Sequence, residues 1–259
     1  MDKAILAVSF GTAYAETRKK TIEAIEADLA AAFPERRLYT AWTSGMILRK
    51  LRARGEETRM NLEEALETME RDGIRDVLVQ PTFFLAGTEM RLTRETLETW
   101  KGRFRSLALG KVLVSEEKDL EALASALEAS FSGVREDEVL ALMGHGSEEA
   151  EENPYLRLEA AFRKDGRLNF TVGTVEFKPG IAPVLDMVRG RKPRRVYLAP
   201  LMIVAGDHAL NDMAGEEPDS WKNRIAALGA EPECVLKGLG EYPEVRALLV
   251  EHAKQALRG

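Results

Sequence analysis

Two of the three histidines in this 259-residue chain stand where a strand is expected to end, and a glutamate stands at a third such place. His145 lies between two glycines in "LMGHGSEE", residues 142 to 149, straight after an apolar run. His208 follows "APLMIVAG", and Glu176 closes "FTVGTVE". Glycine lets the backbone turn sharply and lets another group approach closely, so Gly144-His145-Gly146 presents an imidazole at a strand end. Two imidazoles and one carboxylate suit a divalent first-row metal such as cobalt, nickel, iron or zinc. Taken singly, each of the three reads better as a hydrogen-bonded or solvated surface side chain. Taken together, they occupy ends of neighbouring strands, the edge at which open parallel sheets bind ligands. His252, in "VEHAKQ", has no such placement and is expected at the surface.

Composition narrows the chemistry further. With 45% apolar and 31% charged residues the chain is long enough for one large domain or two smaller ones. A net charge of -6 argues against a nucleic-acid binder, which carries a basic excess to neutralise phosphates. The lone cysteine, Cys234, excludes an internal disulfide and a thiolate metal cluster, and reads as a small core residue in a reducing compartment. The longest apolar run, Val196 to Ala205, is far short of the roughly 20 residues of a membrane span. The apolar stretch Ala4 to Val8 lacks the flanks of a signal peptide, so a cytoplasmic protein is expected. No nucleophile elbow, phosphate loop or dinucleotide fingerprint is present.

The elements that must position these residues alternate. "KAILAVSFG" reads as a strand, "ETRKKTIEAIEADLAAAF" as a helix, "RLYTAWTS" as a strand, "ETRMNLEEALETMERDG" as a helix and "IRDVLVQPTFFLAG" as a strand. The order then repeats with "EDEVLALMG", "ENPYLRLEAAFRKDG", "RLNFTVGTVEF", "KPGIAPVLDMVRGR" and "PRRVYLAPLMIVAG". A helix closes each half, "EKDLEALASALEASF" and "YPEVRALLVEHAKQAL". This predicts an α/β protein of two similar doubly wound parallel-sheet halves, near 1–128 and 129–259, related by a pseudo-twofold. Internal duplication can be read directly. "VLVQPTFFLAGTE" from Val77 aligns with "VYLAPLMIVAGDH" from Val196, pairing Glu89 with His208 at an offset of 119 (208 - 89). "SFGT" aligns with "GHGS", pairing Phe10 with His145 and Thr12 with Ser147 at an offset of 135 (145 - 10).

Several of these motifs together carry a family resemblance. "AILAVSFGT", the "VQP" strand leading to Glu89, "MGHGS", "VGTVEF" and "AGDHALNDM" resemble the anaerobic sirohydrochlorin cobaltochelatases, the long class II tetrapyrrole chelatases, over nearly the whole chain. The resemblance implies that His145, Glu176 and His208 hold an incoming metal above the macrocycle, and that Glu89 is a further acidic group facing the same cleft. It also implies that the final helix packs on the other half. The first half carries Phe83 near a place where a histidine is expected in relatives, which argues against a second metal site there.

The implied activity is insertion of Co²⁺ into sirohydrochlorin in anaerobic cobalamin biosynthesis, a lyase-type metal chelation. Its substrates are the tetrapyrrole (sirohydrochlorin or precorrin-2) and Co²⁺, with no permanently bound cofactor, no nucleic-acid or membrane partner, and room for a homo-oligomer. Insertion needs partial dehydration of the ion, delivery to one face of the ring, and removal of two pyrrole protons. Two histidines and one carboxylate hold an ion loosely enough for transfer, and His145, His208 or Glu89 can accept a proton. A cleft between similar halves would supply the apolar slot. Ser9, Thr12 and Thr88 are expected to offer polar contacts to the macrocycle. The basic run Arg49 to Arg54, Arg91 and Arg94 read either as partners for its carboxylates or as solvated helix faces, and "RGRKPRR" near residue 190 as loop charge. Three other readings stay open: a non-catalytic tetrapyrrole-, haem- or metal-binding protein, a chelatase for Fe²⁺ or Ni²⁺, and a hydrolase with a resident metal.

Overall fold

The computed structural model describes residues 2–56, 59–146 and 153–258, which divide into two compact units, Met1–Ser115 with Pro243–Gly259, and Glu116–Tyr242. The first unit runs β1 (Lys3–Ser9), α1 (Ala15–Lys20), α2 (Ile22–Ala32), β2 (Arg37–Trp42), α3 (Gly45–Ala53), α4 (Leu62–Arg71), β3 (Asp76–Pro81), α5 (Thr88–Trp100) and β4 (Ser106–Leu109). The second runs α6 (Glu117–Ser130), β5 (Val139–Gly144), α7 (Pro154–Lys164), β6 (Phe170–Thr174), α8 (Ala182–Arg191), β7 (Arg195–Pro200), a π-turn (Ala209–Met213), α9 (Trp221–Ala226) and β8 (Glu231–Cys234). The last helix, α10 (Pro243–Ala256), returns to the first unit. Among the described residues no helix is long and apolar enough to cross a membrane.

Each unit is built on a four-stranded, all-parallel sheet, in the orders β2-β1-β3-β4 and β6-β5-β7-β8. Helices cover both faces of such sheets, which is why the central strands read as continuous apolar runs. Ala4 to Val8 and Val139 to Met143 are at most 1% exposed. The duplication seen in the sequence reappears in the ladder register. Ala4 pairs with Val77 in one sheet and Val139 with Val196 in the other, the same offsets of 135 (139 - 4) and 119 (196 - 77). The two sheets are therefore one pattern used twice.

The structure departs from the sequence expectations at identifiable places. The single helix expected over 16–33 breaks at Thr21, whose hydroxyl donates to the Thr17 carbonyl at 2.7 Å, the back-bonding by which threonine disturbs helices. Helix α9 and the edge strands β4 and β8 were not expected, and α3 and α5 were expected only under the solvated-helix-face reading of Arg49 to Arg54 and of Arg91 and Arg94. Both edge strands are four residues long and largely half-exposed; β8 carries Pro232, and β4 offers only the pair Leu107 and Leu109, too short an alternation to stand out.

The expected division after residue 128 falls inside α6, which packs on α7 within the second unit. Helix α10 packs on α2, β3 and β4 of the first unit, as the resemblance implies, with Arg246 paired to Asp28 of α2 at 2.6 Å. Its inward stripe is Val245, Leu249, His252 and Ala253, the i, i+4, i+7, i+8 pattern of a buried helix face. His252 is thus a core residue, 3% exposed, and the surface placement expected for it is corrected. Cys234 is half-buried against the second core, which pushes its thiol pKa up.

Candidate metal centre

Local backbone chemistry explains why His145 is flanked by glycines. Gly144 ends β5, and a Cβ there would lie 2.1 Å from the Tyr155 ring, so only glycine lets α7 bring that ring against the strand end. The Tyr155 hydroxyl oxygen accepts the Gly146 N–H at 3.2 Å. Burial pushes the phenol up to about 12, so it stays a neutral, fixed anchor. Gly146 has φ +112°, in the left-handed region, and a Cβ on it would meet the Glu176 carbonyl oxygen at 1.9 Å. The two chain segments can therefore run in contact beyond their strands: Val175 N–H donates to the Gly144 carbonyl at 2.9 Å and Glu176 N–H to the His145 carbonyl at 2.8 Å. His145 and Glu176 become neighbours by this zipper.

The loop bearing Glu176 is held from behind. Thr174 donates its hydroxyl to the Phe177 carbonyl at 3.1 Å and accepts the Gly180 N–H at 2.8 Å. Asn153 caps α7 by accepting the Tyr155 N–H at 3.0 Å, and its amide donates to the Lys178 carbonyl at 2.9 Å. One side chain thus fixes the start of α7 and the far side of the Glu176 loop.

His208 arrives by a different route, eight residues beyond the end of β7. It sits immediately before the π-turn, which is anchored in the second core by Ala209 and Met213, both fully buried. Its Nδ1 lies 2.7 Å from Asp212 Oδ2. A carboxylate can only accept, so Nδ1 carries the proton and the Nε2 lone pair is left free to bind.

Ligand atoms of His145, Glu176 and His208 all lie within 4.8 Å of one another, the one such cluster of histidine, cysteine and acidic side chains among the described residues. The His145 Nε2–Glu176 Oε2 separation is 3.8 Å, and the two imidazole centroids are 5.2 Å apart with ring planes at 76°. Their side chains are 48%, 49% and 33% exposed. Three ligands at an open edge leave coordination positions vacant, whereas structural metal sites are closed by four.

The first unit carries the same backbone frame without this ligand set. Thr43 and Ser44 N–H groups donate to the Ser9 and Phe10 carbonyls at 2.9 and 3.1 Å, matching Val175 and Glu176 on Gly144 and His145. Phe10, Ser44 and Glu89 are the counterparts of His145, Glu176 and His208. Ser44 spends its side chain capping α3, and Glu89 lies half-buried in the first turn of α5 beside exposed Thr88.

Two expected macrocycle contacts are buried side chains with partners inside the fold. Ser9 is 1% exposed and accepts the Thr82 hydroxyl at 2.8 Å; Thr12 is 4% exposed and accepts the Tyr14 N–H at 3.2 Å. Both oxygens already serve the fold. Arg91 and Arg52 pair with Glu95 and Glu64 on exposed surfaces, as a solvated helix face would. The expected match of Thr12 to Ser147 lies outside the described residues. Tyr155, Asn153 and Asp212 were not singled out in the sequence. Asp212, four residues after a ligand histidine, and Asn153, directly before a proline at a helix start, offered a signal there.

Comparison with known proteins shows the family of the chain. A family model described as cobalt chelatase (CbiK) matches residues 3–258. A sirohydrochlorin cobaltochelatase of Salmonella typhimurium is 40% identical over 257 residues, covering 99% of this chain and 97% of its own. A sirohydrochlorin cobaltochelatase, CbiKC, of Nitratidesulfovibrio vulgaris is 29% identical over 259 residues, covering 98% of this chain and 90% of its own. Among solved structures, SirB from Bacillus subtilis with Fe³⁺ matches 99% of this chain and 96% of its own with a TM-score of 0.67 at 14% identity, a likeness of fold.

Proposed function

The chain belongs to the CbiK cobalt chelatase family, and on that premise we propose that it inserts Co²⁺ into sirohydrochlorin, the two pyrrole N–H protons leaving as the ring nitrogens take the ion. The observation that carries this reading is the convergence of His145, Glu176 and His208 within 4.8 Å at an exposed edge. In it the three side chains take partly dehydrated Co²⁺ from solution and hold it by a minority of its coordination positions. The remaining positions stay open to the macrocycle nitrogens. Glu176 supplies the negative charge that offsets the ion, and Asp212 keeps His208 in the tautomer that can bind it.

Release matters as much as capture. Ligands that are a third to a half exposed retain access to water, so the ion can exchange one ligand at a time into the ring. The departing protons need acceptors with modest basicity, and the two imidazoles and Glu89 are the candidates on this chain. Co²⁺ enters as a substrate, which separates this reading from a hydrolase that keeps its metal.

The test is spectrophotometric metallation of sirohydrochlorin with Co²⁺ and with Fe²⁺, each with and without the protein. Acceleration with Co²⁺ is the expected result. Macrocycle binding with no acceleration would replace this reading by a tetrapyrrole carrier.

A further inference from the structure

Phe177 is placed against two ordinary preferences at once. Its φ is +56°, in the left-handed region that a bulky residue rarely enters, and its side chain is among the large apolar groups left exposed, at 47%. A ring that gained its place by packing would be buried, and a turn selected only for its geometry would carry glycine here. Strain that the surroundings hold in place points to a role for the residue that bears it.

Its position identifies what the ring could meet. Phe177 directly follows Glu176, and its Cδ2 lies 3.2 Å from where a Gly146 Cβ would stand, so the ring lies beside the turn that carries His145. The Thr174 hydroxyl on the Phe177 carbonyl and the Asn153 amide on the Lys178 carbonyl hold that backbone in place. For an ion to pass from His145, Glu176 and His208 into a macrocycle, the ring nitrogens must come within bonding reach of the same ion. A flat, conjugated disc over those ligands extends across the residues that border them, and a phenyl ring on that border meets a π-face or an edge of it.

We propose that Phe177 is an aromatic contact for the tetrapyrrole, kept in a strained backbone so that its ring flanks the metal ligands. This rests on the chelatase reading above. Phe177 does not hold the metal, and its contribution is to affinity for the macrocycle and to its placement over the ion.

The experiment compares Phe177→Ala, Phe177→Gly and Phe177→Tyr with the wild type. It measures Co²⁺ binding to the protein alone, sirohydrochlorin binding without metal, KM and kcat for metallation, and Tm. Alanine and glycine should weaken sirohydrochlorin binding and raise its KM about tenfold. Co²⁺ binding should be unchanged in all three, and tyrosine should retain wild-type binding. Glycine should also have a higher Tm than alanine, because it relieves the positive φ. Unchanged macrocycle binding in both truncations would overturn the proposal. So would a parallel loss of Co²⁺ binding, which would make Phe177 a support for Glu176. If the wild type binds sirohydrochlorin without metallating it, the chelatase reading fails while the binding measurement still decides the contact. If it neither binds nor metallates, both fail.

Discussion

His208 Nδ1 and Asp212 Oδ2 lie 2.7 Å apart across one π-turn, so the carboxylate that orients the imidazole comes from the same short segment as the imidazole itself. Such partners of metal-binding histidines are commonly worth 10- to 100-fold in affinity or activity. Asp212→Ala is therefore expected to weaken Co²⁺ binding by about one to two orders of magnitude. Asp212→Asn keeps an oxygen that can accept the Nδ1–H and should stay within a few-fold of wild type. Titration with Co²⁺ checks both, and equal affinities for alanine and wild type would remove Asp212 from the site.

His145→Ala and His208→Ala should each leave the fold intact, since the side chains are about half and a third exposed and lie outside both cores, where substitutions usually shift stability by under about 0.5 kcal/mol. Co²⁺ insertion at limiting Co²⁺ should nevertheless fall, while sirohydrochlorin binding persists. His252 is no control, because its truncation opens a hole beneath α10 and should cost about 2 kcal/mol or more. Glu98→Ala, on an exposed face of α5, serves instead. Wild-type rates for both histidine variants across a Co²⁺ titration would dissociate these residues from metal delivery.

Gly146→Ala places a Cβ on the Glu176 carbonyl and forces alanine into the left-handed region, a penalty of at least about 1–2 kcal/mol. Tyr155→Phe removes the acceptor of the Gly146 N–H together with the hydroxyl's backbone contact to His145, and should cost about 1–3 kcal/mol. The first should abolish Co²⁺ binding and the second should loosen it. Thermal melts read beside metal titrations separate the two, and normal Co²⁺ binding by Gly146→Ala would contradict the zipper that sets His145 beside Glu176.

Glu26 points inward from α2 with Ile22, Ile25 and Leu29, and burial raises its carboxyl pKa from 4.5 to about 7, partly offset by Arg59 and Arg18 and reinforced by Glu23. A raised folded-state pKa means that the folded form binds the proton more tightly. Its stabilising contribution is therefore present below pH 4.5 and is lost as pH rises toward 7. Glu26→Gln should leave stability nearly unchanged at pH 4 and increase it by up to about 3 kcal/mol at pH 8. Denaturant unfolding at the two pH values measures this, and an equal effect at both would show that ionisation of Glu26 is not the cause.

Much of this molecule was legible before folding, because the features concerned are local. Apolar runs, the glycines around His145 and the paired offsets of 119 and 135 all survive as parallel strands, a sharp turn and a matching ladder register. The four-residue edge strands were too short to stand out, whereas α5 carried a local signal that was passed over, with Met90, Thr93, Leu97 and Trp100 on its buried face. His252 was misplaced because it was weighed alone; its spacing from Val245 and Leu249 already put it on the inward stripe.

The sequence by itself determined which side chains could bind a metal and that three of them follow strands of the second half, since residue type and alternation are properties of the chain; β7 ends at Pro200, so His208 stands on the π-turn segment and not at the strand end expected for it. Only the tertiary structure decided that they share one ion-sized space. That depends on contacts between segments with no fixed spacing: the Tyr155 ring against Gly144, the Glu176 carbonyl against Gly146, and the Asn153 amide on Lys178. Such contacts exist because α7, the Glu176 loop and the π-turn are each packed onto the second sheet, and close packing leaves few positions for their ends.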